Sequence, residues 1–535
     1  MTAAAIPQST PAPTASGFGV AHLTEGQKLM IFGVMAFGQF MALLDIQIVA
    51  ASLNSIQAGL SAGPDEISWV QTAYLMAEIV MIPLAAFLTQ ALSTRVVFAA
   101  SAFLFTISSL MCGLAWDINT MIAFRAIQGF TGGAMIPTVF ATGFTLFEGP
   151  KRAMIPGILG LVSTLAPTLG PTVGGWITDV ASWRWLFFMN VAPGAAVTVL
   201  ILMWARVDEA VPAMLRRIDW AHMLSMAVFL GGLEYVLEEG PRHDWLTEPA
   251  VAIAAWLSFV AALLFLERSF FSKGPIVKLS PFRRPTFAFA CLFNFVIGVG
   301  LYAATYLVPV FLGRVRGYSS FEIGTTVFVS GIAMSLGAPI AAMLSQRIDQ
   351  RIVITVGLSL FAAGLWLFSY MTPDWGFSAL FLPQVVRGFA ILLCIVPSVG
   401  LALTGFEQAE LRYASGLFNL MRNLGGAVGI ALVNTWLGDN AREHALKIGV
   451  AMGEGARTAP DVLAGLAGLM SRYTPDPAQA QAMAEGLAAR IVGRQALAAG
   501  FDDVFRIMAW MFIAALVMVP FCRPAAQTAP AADSP

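Results

Sequence analysis

Three ionisable side chains, Asp45, Glu78 and Arg125, stand inside stretches otherwise apolar enough to lie in a bilayer. A charge at bilayer depth costs at least about 2.5–3.5 kcal/mol by insertion scales, so each is a candidate for function rather than packing. At about 1.5 Å of rise per residue, Asp45 lies roughly 12 Å, Glu78 roughly 15 Å and Arg125 roughly 9 Å below the same membrane boundary, the outer one. If the three face one cavity, Arg125 can pair with Asp45 or with Glu78. Desolvation favours a protonated carboxyl and a neighbouring guanidinium favours the ionised form, so a movement that changes their separation binds and releases a proton. That is the chemistry of proton coupling. Asp45 and Glu78 could also hold a cationic substrate in competition with the proton. The alternative is a static buried ion pair that fixes helix register.

The remaining polar residues offer less. Glu234 falls near the outer end of its apolar run, with Glu238 and Glu239 in the headgroup region. These read as solvated or snorkelling acids, Glu234 being retained as a substrate-binding candidate. Arg387 and Arg422 have no acidic partner nearby in sequence. His22, His243 and His444 fall in tails or loops and His222 at the edge of a run, and no pair has metal-ligand spacing. Neither a metal nor another cofactor is expected. Cys112, Cys291, Cys394 and Cys522 lie in or at the end of apolar runs, as packing residues rather than a disulfide framework. There is no nucleophile–base set and no phosphate loop, so an enzyme is not expected.

A membrane must position these residues. Hydrophobic residues make up 58% of the 535 and charged residues 11%, against roughly 45–50% and 25% in soluble domains. The chain therefore cannot clothe several soluble cores and reads as polytopic. The balance of 30 basic against 31 acidic residues argues against a nucleic-acid partner. Fourteen apolar runs, from 29–53 to 504–522, are long enough to span a bilayer of about 20 residues' depth. Residues 1–28 form an expected disordered tail, leaving the first run as an uncleaved signal anchor, and 523–535 a second tail. With the N-terminus inside, short internal loops carry Arg95, Lys151, Arg152, Arg216, Arg217, Arg268, Lys273 and Arg412 among others. Short external loops carry Arg184, Arg242, Arg314 and Arg316. This bias places both termini in the cytoplasm.

The chain also repeats itself. Pro83-Leu-Ala-Ala-Phe-Leu-Thr-Gln90, followed by Arg95, matches Pro339-Ile-Ala-Ala-Met-Leu-Ser-Gln346, followed by Arg351, at an offset of 256. Gly129-Phe130 and Phe147-Glu148 recur as Gly388-Phe389 and Phe406-Glu407 at an offset of 259, which makes Arg387 the counterpart of Gln128. Two six-helix halves, 29–205 and 286–522, are expected, with two helices inserted at 206–285. Transporters are commonly built from such repeats, with the substrate site at their interface.

In the fifth run, Gly157, Ala166, Gly170, Pro171, Gly174 and Gly175 suit a closely packed, kinkable helix, a candidate gate. Together with Leu44-Asp45 and Arg125-Ala-Ile-Gln128-Gly129, this glycine pattern resembles signatures of the major facilitator superfamily. The fourteen spans, Trp183-Arg-Trp-Leu-Phe-Phe-Met-Asn190-Val-Ala-Pro193-Gly194 and Leu237-Glu-Glu-Gly240 resemble its drug–proton antiporters, the EmrB/QacA group. The resemblance implies an all-α major facilitator fold and ties Arg125 to proton transfer. It also makes Asp45 the acidic position of the first-span motif, and the glycines of the fifth run an exporter motif. The loop after the second span departs from the family: Gln90 replaces the usual acid and Ser93 a usual glycine, leaving Arg95 as the surviving charge. Because that acid helps latch the cytoplasmic side, the conformational bias of this chain is open.

The expected activity is proton-coupled efflux of lipophilic, in part cationic, small molecules across a bacterial inner membrane. The alternative is a proton-linked permease for a metabolite or siderophore. The resemblance further implies a periplasmic adaptor and outer-membrane channel, needed only in a Gram-negative source. The Ala-rich segment 439–503, broken at Pro475 and Pro477, reads as a helical hairpin lying on the outer surface, a candidate docking point for such an adaptor.

Overall fold

A bilayer leaves backbone N–H and C=O groups no partner but each other, so each apolar run closes its hydrogen bonds as a helix. In the computed structural model, which describes residues 23–63, 66–152, 154–272, 275–454, 458–474 and 476–522, the long helices are as follows. The first six are α1 (Glu25–Ala51), α2 (Trp69–Leu92), α3 (Thr94–Gly113), α4 (Ile118–Leu146), α5 (Ile155–Val180) and α6 (Val191–Trp204). Two more, α7 (Trp220–Glu239) and α8 (Pro249–Phe271), follow. The last six are α9 (Pro285–Phe311), α10 (Ser320–Arg347), α11 (Gln350–Phe368), α12 (Phe377–Leu403), α13 (Gln408–Glu454) and α14 (Pro477–Leu516). Among the described residues, 13 helices are long and apolar enough to cross a membrane. The further one, α4, has 29 residues but carries Arg125, Gln128 and many glycines and threonines, which lower its hydropathy.

Local signals set the ends. Thr24 and Gln27 form a capping box, so α1 starts at Glu25 rather than at 29. Asp117 caps α4 by accepting the Thr120 N–H at 2.7 Å, which holds its exposed carboxyl below the usual range. His22, Lys273, Pro475 and the tail 523–535 lie outside the described residues.

The packing repeats as the sequence does. In the first half α4 packs on α2 and α3, α1 on α5, and α6 on α1 and α3; in the second α12 packs on α10 and α11, α13 on α9, and α14 on α9 and α11. A Cβ on Gly129 would lie 2.1 Å from the Tyr74 carbonyl oxygen, and one on Gly388 2.5 Å from that of Ser330. The two contacts are thus related by the same offsets as the sequence repeat. The halves meet along α5–α10 and α2–α13, two seams that the repeat relates to each other. The inserted α7 packs on α2 and α13, beside the second seam. Its partner α8 turns Ile253, Trp256, Leu257 and Phe259 outward, a lipid-facing surface.

The segment 439–503 differs from expectation. It does not lie flat as a separate hairpin: α13 runs without a break for 47 residues and α14 for 40, with a short helix, Thr458–Met470, between them. No residue strong enough to end a helix interrupts α13 before 454, so the extension projects as its continuation.

Candidate functional site

Asp45 on α1 and Arg125 on α4 form an ion pair, Oδ2 to Nη1 at 2.5 Å. Both are sealed inside the first half, at 1% and 0% exposure. A buried pair is stabilised by hydrogen bonds to its remaining polar groups, and of these Arg125 Nη2 has no partner. Here Gln128, one turn after Arg125, accepts from its Nη1 at 2.8 Å and donates to Asp45 Oδ1 at 3.1 Å. Asn190 donates to the same Oδ1 at 2.8 Å and to Ser109 at 3.1 Å. Arg125 Nε donates to the Val70 carbonyl at 3.1 Å, and its guanidinium carbon sits 4.2 Å from the Tyr74 ring centroid. Residues of α4 and of the α6 entry thus hold the carboxylate, and α2 and α3 hold those residues in turn.

Glu78 does not share this enclosure. It is 3% exposed, its Oε1 has no hydrogen-bond partner, and it lines a cavity of about 80 Å³ between the halves. Of the two pairings open to Arg125, the structure forms the one with Asp45, while Glu78 lines the cavity between the halves. Ile46 and Gln47, the next residues after Asp45, line that cavity, so pair and cavity lie at nearly one level on different sides of α1. A larger space of about 300 Å³ shares Gln47, Gln71, Glu238 and Tyr302 with it and reaches the ends of α1, α9 and α10 at Ala51, Pro309 and Ile323.

Glu234 and Glu239 also differ from the solvated acids expected. Glu234 is 4% exposed and lines the smaller cavity, because α7 lies against the seam rather than apart from it. Glu239 is buried and accepts from Thr72 on α2 at 3.1 Å. Arg422 on α13 donates from Nη2 to Asn419 at 2.9 Å, but its Nε and Nη1, like those of Arg387, have no hydrogen-bond partner; the Arg387 guanidinium lies 5.9 Å from the Phe368 ring.

The glycines of α5 divide between two contacts. Cβ atoms on Gly170 and Gly174 would strike Gln47 and Ile48 of α1, at 2.3 and 2.9 Å. Gly157 instead faces Ala342 of α10, across the halves. Pro171 lines the larger cavity, and Gly175 is buried. On the second half Gly425 and Gly429 of α13 meet Phe295 and Val299 of α9 in the same manner.

At the opposite end from the cavity mouth, Gln90 and Arg95 take different parts. Gln90 accepts from the Tyr413 hydroxyl of the second half at 3.2 Å and, through its carbonyl, from Val211 N–H at 3.0 Å. Arg95 donates to the Leu202 carbonyl, within its own half. The acid missing at Gln90 is supplied elsewhere: Asp208 accepts the Thr94 N–H at 2.9 Å and pairs with Arg412 of α13. Sequence reasoning missed Asp208 and Asn190 as site residues; each reaches its partner from more than a hundred residues away.

Two repeated six-helix halves around a shared cavity, with a charge pair buried in one of them, define a polytopic membrane transporter rather than an enzyme. The Major Facilitator Superfamily pattern matches residues 35–430, and the chain belongs to that superfamily. It is 41% identical to the colistin resistance protein EmrB of Acinetobacter baumannii, over 91% of this chain and 95% of that one. It is 27% identical to the multidrug export protein EmrB of Escherichia coli K12, over 94% and 96%. The proton:xylose symporter XylE shares the fold, with a TM-score of 0.59 and 14% identity over 94% of this chain and 97% of that one.

Proposed function

We propose that this chain is a proton-coupled antiporter that exports amphipathic small molecules across a bacterial cytoplasmic membrane by alternating access. The observation that carries the proposal is the sealed Asp45–Arg125 pair on the other side of α1 from a cavity between the halves. Separating the pair would strand a buried charge, and taking up a proton removes it. Rocking of 29–205 against 286–522, with 206–285 riding on one seam, links that event to which end of the cavity is open. The names of the export and resistance relatives support small-molecule efflux.

The gathering of basic residues in one set of short loops supports cytoplasmic termini; on that reading the cavity mouth faces outward and the Asp208–Arg412 contact closes the inner side. The projecting α13–α14 extension is then external and offers a docking surface for a periplasmic adaptor. In proteoliposomes, an imposed proton gradient is expected to drive accumulation of a lipophilic drug, and a protonophore to abolish it. Accumulation indifferent to the gradient overturns the proposal.

A further inference from the structure

The inserted helix α7 does more than fill a seam. It packs against α2 and α13, held by the Thr72–Glu239 hydrogen bond at 3.1 Å, the stacking of Trp69 on Tyr235 at 5.4 Å between ring centroids, and Trp245 donating to Thr435 at 3.1 Å. So held, it turns Glu234 and Glu238 into the cavity that Glu78 lines from α2. Glu78 Oε1 and Glu234 Oε2 have no hydrogen-bond partner, although both residues are more than nine-tenths buried. A carboxylate oxygen is an acceptor only, and leaving it unpaired away from water is costly. Two such oxygens on facing elements describe a place for donors carrying positive charge.

The local charge agrees with this. Two guanidinium groups act on Glu78, that of Arg125, which is already committed to Asp45, and that of Arg422 on α13; Arg242, near Glu238, is engaged with Glu239 at 3.6 Å. Of these three guanidinium groups only that of Arg422, which donates to Asn419, has no carboxylate partner among the described residues, so the three acids Glu78, Glu234 and Glu238 leave the cavity with an excess of acid. The rest of the lining is apolar or uncharged, with Leu75, Ile79 and Tyr302. A flat apolar body fits that wall, and the adjoining space of about 300 Å³ leaves room for it.

We infer that Glu78 and Glu234 together form a subsite for the N–H-bearing cationic group of an amphipathic substrate, so that the inserted helix pair is part of substrate recognition. The inference rests on the export reading above and sharpens its substrate class to lipophilic amidinium, guanidinium or ammonium compounds.

The test is equilibrium binding to the full-length protein in lipid nanodiscs. It compares a fluorescent aromatic bis-amidinium (4′,6-diamidino-2-phenylindole) with a neutral fluorescent lipophile (N-phenyl-1-naphthylamine). Glu234→Gln is expected to weaken the cation about tenfold or more and leave the neutral probe within about twofold, with Glu234→Asp retaining part of the preference. Equal weakening of both probes, an unchanged cation affinity, or no preference for the cation in the unaltered protein overturns the inference. Gradient-driven transport of the neutral probe with any of those outcomes leaves the export reading standing. Absence of gradient-driven transport for both probes removes that reading instead.

Discussion

The carboxylate of Asp208, in the linker between α6 and α7, and the guanidinium of Arg412, on α13 of the second half, meet although the residues lie 204 positions apart. Both are mostly buried, at 6% and 12% side-chain exposure, where an ion pair is screened far less than on a surface. The same Asp208 also takes the N–H and hydroxyl of Thr94, at the start of α3. One acid therefore ties the α2–α3 turn, the α6–α7 linker and α13 together.

This contact predicts a conformational bias that can be reversed. Asp208→Asn should open this end of the bundle, so that a cysteine introduced by Thr142→Cys, lining the narrow space beside Arg412, reacts severalfold faster with a maleimide. The four native cysteines are buried and should contribute little background. Exchanging the charges, Asp208→Arg with Arg412→Asp, should restore slow labelling. Equal labelling rates in all variants would remove the latch.

Ser93 alone connects α2 to α3, at φ 78° and ψ 151°, a conformation open essentially to glycine. Its hydroxyl accepts the Val96 N–H at 3.4 Å, a weak cap whose loss to glycine costs only a few tenths of a kcal/mol. Such backbone strain costs about 1–3 kcal/mol, so Ser93→Gly should stabilise the protein. A thermal-shift measurement on purified protein checks this: the midpoint should rise, and a fall would contradict the assignment.

Gly129 and Gly388 occupy equivalent places where a helix backbone lies against a neighbouring carbonyl, leaving 2.1 and 2.5 Å for an added Cβ. A backbone cannot move aside as a side chain does. Gly129→Ala and Gly388→Ala should each destabilise by at least about 1–3 kcal/mol, seen as a lowered midpoint. Gly465→Ala, in the short helix Thr458–Met470 with open space around it, serves as the control and should change little.

The reach of sequence reasoning follows from how local each signal is. Asp45 and Arg125 were legible because a charge in an apolar run is conspicuous wherever it falls. Their partner Asn190 was visible only as one letter of a family pattern, since nothing in spacing ties 190 to 45. Glu234 was misread because distance from the end of a run says nothing about which neighbour that run packs against. Placing α7 on the α2–α13 seam is what turns a boundary acid into a cavity wall. The repeat was legible at Pro83 and Pro339, yet the matching Gly170/Gly174 and Gly425/Gly429 contacts emerge only when the helices are seen together. The substitution of Gln90 for an acid was legible as a departure, but not that Asp208 supplies the charge from another segment.

The central claim is that Asp45, paired with Arg125, carries the proton that drives transport. Removing its charge should uncouple the protein while leaving its substrate path intact. In proteoliposomes, Asp45→Asn should abolish uphill, gradient-driven accumulation while substrate–substrate exchange without a gradient continues. Uphill accumulation at the rate of the unaltered protein in Asp45→Asn would contradict the account.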